Sequence, residues 1–147
     1  MVIPELIRPY WDKFQASIGV DVSARFYSAS YFDDNEASAN ELAALILAGV
    51  KRATAGPLCV YEASQTPLPE PGALSVVTNW QGEPLCIIET KNVMIISFDE
   101  VNEAFAKREG EGDLSLAYWR DAHWAYCTRA CQPFGIKADL KMQMVCE

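Results

Sequence analysis

The tightest constraint on how this chain folds lies in residues 38–54, where a bounded helix is stopped by a glycine and passes directly into sheet-forming sequence. Ser38-Ala-Asn-Glu41 has the form of a capping box: the serine oxygen takes an orphan amide while Glu41 reaches back to the cap amide. The helix this predicts covers 39–48 and buries Leu42, Leu45 and Ile46. Gly49 supplies the left-handed residue that ends it. A fixed corner follows, and Lys51 and Thr54 project from it as a site needs if it is to hold geometry. On the residues alone, Lys51 and Arg52 also read as last-turn cations answering the negative end of the helix dipole.

The rest of the chain divides around this corner. Leu6, Ile7, Tyr10, Trp11, Phe14 and Ile18 recur at helical spacing, with Pro4 placed for a first turn, and predict a helix over 4–18. Residues 21–35 follow no regular period and read as a short helix or turn. Beyond Thr54, Gly56-Pro57 leads to a short apolar piece at 58–61, and residues 66–72 form a loop closed by Pro71-Gly72. Strands over 73–79 and 85–90 flank the turn at 80–84, which predicts an antiparallel hairpin, and 93–98 continues as another strand or as the same one after a bend. Val101, Phe105 and Ala106 predict a helix ending before Gly110. Asp113 is placed to cap a longer one over 114–131, which Pro133 and Gly135 end. Alternation from Leu140 to Cys146 predicts a half-buried strand. About five short strands with four helices make an α+β chain, arranged as an open sheet or as a barrel with helices around it.

At 147 residues the chain has the length of one domain, with no internal repeat or low-complexity segment and no loop long enough to be a domain linker. Twelve basic residues against twenty acidic ones leave a net charge of -8, which opposes the counterion-release affinity for duplex nucleic acid. An RNA partner would therefore be held locally, in a small basic cleft suited to a nucleoside or a short single strand. The N-terminal sequence lacks the features of a secretory signal, and no window reaches the ~18 uninterrupted apolar residues of a membrane span. Five cysteines without a Cys-x-x-Cys pair indicate neither a disulfide framework nor a zinc ribbon. A reducing cytoplasm is the expected compartment, with no membrane partner.

Gly49-x-Lys51-x-x-Thr54 after an amphipathic helix, Ala39-Asn-Glu-Leu42, the Glu-Gly-Glu-Gly-Asp run at 109–113, and Trp119-Arg120 with His123 occur in an order that resembles the ASCH domain family. That family lies within the PUA-like superfamily associated with RNA, and the resemblance runs from about Phe32 to Cys146. It implies one ASCH-like domain over 1–147, with the 4–18 helix as an extension packed on it. The implied fold is a PUA-like small β-barrel of about five or six strands flanked by helices. Its implied partner is RNA or a modified nucleoside, recognised in a cleft beside the Gly49–Thr54 motif; the oligomeric state is left open. One subgroup of the family hydrolyses the acetyl amide of N4-acetylcytidine. Carried over, its catalytic lysine, threonine and glutamate fall on Lys51, Thr54 and Glu109, with Glu111 two residues on in the same run. Thr54 would be the nucleophile, Lys51 its proton acceptor or a charged donor to the oxyanion, and the glutamate an orienting or proton-carrying group. No cofactor or metal is implied. Arg52, Glu111, Trp119, Arg120 and His123 are the candidate ligand-binding residues.

Two alternatives stay open. A ribonuclease would use Lys51 and Arg52 on the phosphate and Glu109 or His123 on protons. Its metal-assisted form would draw on Asp33, Asp34, Glu109, Glu111 and Asp113. A module that only binds RNA is the other. His123 is the only histidine, and no nucleophile signature accompanies it. His123, Cys127 and Cys131 share a helix face, but the outer two lie about 12 Å apart along the axis and cannot share one ion.

Overall fold

The computed structural model describes residues 1–147 and divides into two compact units, Met1–Leu47 with Glu70–Lys91 and Ala48–Pro69 with Asn92–Glu147. In the first, a 3-10 turn leads into helix α1 (Arg8–Ile18), which Gly19 ends in the left-handed conformation. Ile3, Ile7 and Trp11 are spaced four apart and are all buried, with Trp11 fully enclosed. The Phe26 ring meets Trp11 edge-on at 5.2 Å, and Val22, Leu74 and Val76 complete this core.

Phe26 belongs to strand β1 (Phe26–Ser30), where the sequence predicted only a short helix or turn over 21–35. A 3-10 turn does occur there, at Ser23–Arg25. The strand escaped notice because its register slips between Phe26 and Ser28, so the period of two is broken at its start. It pairs in parallel with β3 (Leu74–Thr78), which pairs antiparallel with β4 (Pro84–Glu89) as the expected hairpin, giving the order β1-β3-β4.

Helix α2 (Glu36–Leu47) begins three residues earlier than the capping box suggested. Asn35 is the cap: its Oδ1 accepts from Ser38 N at 2.9 Å and its carbonyl from Ala39 N. Ser38 thus lies inside the helix. The fully buried stripe is Ala39 and Ala43, with Leu42, Leu45 and Ile46 half-buried.

The second unit holds β2 (Ala55–Pro57), helix α3 (Leu58–Ala63), β5 (Met94–Ser97), α4 (Glu103–Glu109), α5 (Leu116–Cys131) and β6 (Gln143–Cys146). Its sheet has the order β2-β6-β5, antiparallel throughout. As the central strand β6 is buried on both faces, with Met144, Val145 and Cys146 all enclosed, where alternation predicted one wet face. Met144 and Cys146 pack with Phe98, Phe105 and Trp119 in the core. Asn102 caps α4 by accepting from Phe105 N. Ser115, not Asp113, caps α5, accepting from Tyr118 N at 3.0 Å. Leu114 is left-handed and therefore outside the helix, and Asp113 instead accepts from Ser115 N.

The six strands form two three-stranded sheets and not the expected closed barrel. Pro57 lies on the edge strand β2 and Pro84 on the edge strand β4, and neither has an N–H to extend a ladder. No helix is long and apolar enough to cross a membrane.

Candidate functional site

Gly49 is left-handed, as the sequence predicted, and delivers Val50 and Lys51 to the end of α4. Gly110 closes that helix, also left-handed, and a Cβ there would stand 2.5 Å from the Val50 carbonyl oxygen. Only glycine allows this approach. Arg52 N donates to Arg108 O at 2.8 Å, fixing the motif against the last turn of α4. Thr54 and Glu147 exchange both backbone hydrogen bonds at 2.9 Å, which ties the start of β2 beside the end of β6.

This docking brings Lys51 and Glu109, 58 residues apart, into a buried ion pair of 2.9 Å. The Lys51 ammonium also donates to Ala53 O at 2.8 Å and to Glu111 Oε2 at 3.3 Å. The other Glu109 oxygen, Oε2, accepts from the Trp119 indole N–H and lies 2.8 Å from His123 Nε2. Trp119 and His123 are one turn apart on α5, and their rings stack at 4.1 Å and 12°.

The hydrogen bonds set the charge of His123. Its Nδ1 lies 2.9 Å from the Trp119 carbonyl, which can only accept, so Nδ1 carries a proton. Its Nε2 faces an ionised carboxylate, which also only accepts, so the geometry favours the imidazolium form. Burial alone would pull the His123 pKa down; the hydrogen bond and charge of Glu109 outweigh it and raise it. Burial likewise acts to raise the Glu109 carboxyl, but the His123 hydrogen bond and the charges of Lys51 and His123 bring it down to about 2. Glu111 goes the other way: burial and the neighbouring Glu109 charge raise it against the pull of Lys51. The two glutamates are thereby separated into one that stays ionised down into acid and one that holds its proton more firmly. The side chain of Glu111 is also the most exposed of the four, at 17 %, against 1 % for Glu109.

Glu109, Glu111 and His123 offer ligand atoms all within 4.8 Å of one another. A divalent ion would have to displace Lys51, whose ammonium already stands between the two carboxylates as their cation. With His123 donating from both nitrogens as well, the set suits an ammonium better than a metal.

Of the residues singled out from the sequence, Lys51, Glu109, Glu111, Trp119 and His123 converge. Thr54 is half-buried at the start of β2, and Arg52 and Arg120 are exposed. Asp33 and Asp34 belong to the other compact unit. His123, Cys127 and Cys131 go to three different partners: Glu109, the Met144 sulfur at 4.0 Å and the Cys59 sulfur at 3.7 Å. Glu147 was not anticipated; its carboxyl is raised by burial and pulled back by the Lys51 charge. The four-residue spacing of Trp119 and His123 was the sequence signal that both could serve one acceptor.

The ASCH domain family profile matches residues 28–147. The crystal structure of an ASCH domain from Lactobacillus crispatus JV V101 superposes with a TM-score of 0.88 at 38 % identity, over 98 % of this chain and 92 % of that one. The structure of protein EF3133 from Enterococcus faecalis V583 superposes with a TM-score of 0.87 at 27 % identity, over 97 % and 85 %. No curated protein matches the sequence.

Proposed function

This chain belongs to the ASCH domain family, and from that premise we propose that it recognises RNA or a modified nucleoside beside Gly49–Thr54 and hydrolyses the acyl amide of an N4-acetylcytidine-like substrate. The family is generally associated with RNA binding. The observation that carries the reading is the buried cluster of Lys51, Glu109, Glu111 and His123. Such a cluster costs desolvation energy that an apolar core would not, so a role beyond stability is favoured. Its most exposed member, Glu111, is the one whose carboxyl is raised, the direction that favours a proton-carrying role.

In this reading Thr54 Oγ1 attacks the acyl carbon, and its proton passes through the Glu111 carboxylate to the departing amine as the C–N bond breaks. Water then adds to the Thr54 ester, releasing the carboxylic acid and restoring the hydroxyl. Lys51, held by Ala53 O and Glu109, acts as a charged donor and not as the base, exchanging its longer 3.3 Å contact to Glu111 for the developing oxyanion. Glu109 holds Lys51 and His123 in place and stays ionised.

The test is release of cytidine from N4-acetylcytidine by the purified protein, followed by chromatography, beside Thr54→Ala and Glu111→Gln. Turnover by the parent and its loss in both variants, with folding unchanged by near-ultraviolet circular dichroism, is expected. No cytidine at high enzyme concentration would overturn hydrolysis. Binding of single-stranded RNA by the same preparation would then leave recognition alone.

A further inference from the structure

Of the five cysteines, two meet. Cys59 is the second residue of α3 and Cys131 the last of α5, and their sulfurs are 3.7 Å apart, which is van der Waals contact. Both belong to the second compact unit, and 72 residues separate them. Cys59 is half-buried, whereas Cys131 is fully enclosed. We propose that Cys59 and Cys131 form a reversible redox site, in which a peroxide-class oxidant joins them in a disulfide that ties the end of α5 to the segment following the Lys51–Thr54 motif.

A disulfide sulfur–sulfur bond is about 2.05 Å, so the sulfurs must approach by only about 1.7 Å. Both residues are at helix ends, where side-chain rotation and a small shift of the last turn supply that movement. Cys59 is the thiol a solvent oxidant reaches. Its sulfur attacks the peroxide, the O–O bond breaks, and Cys59 becomes a sulfenic acid as water forms. The Cys131 sulfur then attacks the Cys59 sulfur; the S–S bond forms, the S–OH bond breaks and a second water leaves. Each sulfur gives up one electron, and the peroxide takes both. Burial, with the Cys59 sulfur beside it, pushes the Cys131 thiol up to about 11, so it does not react with the oxidant first; its 3.7 Å contact with the Cys59 sulfur is what supplies the second step.

Among the remaining cysteines, Cys127 neighbours the pair, and burial together with the nearby Cys131 and Cys59 sulfurs pushes its thiol up to about 12, but its sulfur contact is to Met144; Cys146 is enclosed in β6 with its thiol pushed up to about 12 by burial and the Glu109 charge, and Cys86 belongs to the other unit.

Hydrogen peroxide is added to the wild-type protein, and peptides are mapped without reduction. A Cys59–Cys131 cross-link, a fall from five free thiols by two, and full return with a dithiol reductant are expected. Cys131→Ser should leave a Cys59 sulfenic acid that dimedone traps, and Cys59→Ser should abolish the cross-link. A map joining Cys59 to another cysteine or to a second molecule would overturn the proposal. So would Cys59 oxidised beyond the sulfenic acid with Cys131 still a free thiol. The wild-type map decides between these even if a variant does not fold.

Discussion

Replacing Glu109 with glutamine tests the electrostatic account of the cluster at its centre. Glutamine keeps the shape and one carbonyl oxygen but turns the other oxygen into an NH2 donor. Facing α5, that donor would oppose the Trp119 N–H; facing the motif, it would oppose the Lys51 ammonium. Neither orientation satisfies both sides. The lowering of the carboxyl from 4.5 to about 2 corresponds to about 3 kcal/mol of stability near neutrality. This agrees with the ~3–5 kcal/mol expected when one partner of a buried pair is removed. Loss of the His123 proton in the variant offsets part of the cost, since Glu109 is what raises that pKa. At about 3 °C per kcal/mol for a chain of this size, the Tm should fall by about 10 °C at pH 6.

The pH dependence carries its own sign. The Glu109 contribution is complete above 4.5 and is lost as pH falls toward 2. His123, raised above 6.5, contributes fully below that value and loses its contribution as pH rises through its folded pKa. The cluster is therefore most stabilising between 4.5 and 6.5. Calorimetry of parent and variant at pH 6 and pH 3 should show the gap falling to less than half at the lower pH. A gap under about 3 °C at pH 6, or one that does not shrink in acid, would refute the reasoning.

The remaining predictions concern the elements that place the cluster. Asn35→Ala should cost about 1 kcal/mol in urea unfolding, while Ser38→Ala costs much less, because the side-chain cap belongs to Asn35. Gly110→Ala combines left-handed backbone with a Cβ 2.5 Å from Val50 O, and should cost more than about 2 kcal/mol and speed amide exchange over 49–54. Gly49→Ala, left-handed but with nothing within 4 Å, should cost only about 1 kcal/mol.

What the sequence made legible was local. The glycine stop at 49, the 73–90 hairpin, the N-terminal helix and the end of α5 each depend on a few neighbouring residues, and the structure has all four, the expected 4–18 helix as a 3-10 turn at Glu5–Ile7 followed by α1 from Arg8. What it hid depends on distant partners. β1 is recognisable only through β3, 47 residues away, because its slipped register removes alternation. The complete burial of β6 follows from strands on both sides and cannot be seen in its own pattern. The Asn35 and Ser115 caps show a different limit: where several capping residues lie within a few positions, only the backbone decides which one is used. Within the site, Lys51 and the glutamate run came from the family resemblance, whereas the attachment of Glu109 to Trp119 and His123 required the docked helix.

That Glu109 and Glu111 both reach Lys51 follows from the backbone between and after them. Gly110, Gly112 and Leu114 are all left-handed, at φ 71°, 57° and 69°, and the chain there coils back on itself instead of continuing α4. Two residues only two apart can then direct their carboxylates at one ammonium from the last helical turn and from the loop. The first is enclosed by α5 donors and stays ionised; the second remains at the open edge with a raised pKa. Stability and chemistry should consequently separate. Glu109→Gln lowers the Tm most between pH 4.5 and 6.5, whereas Glu111→Gln removes a carboxylate whose ionisation opposes folding at neutral pH and should leave the Tm unchanged or higher while abolishing acyl hydrolysis. A Tm loss of similar size in both variants would mean that the two glutamates share one structural task and that the proton-carrying role assigned to Glu111 is wrong.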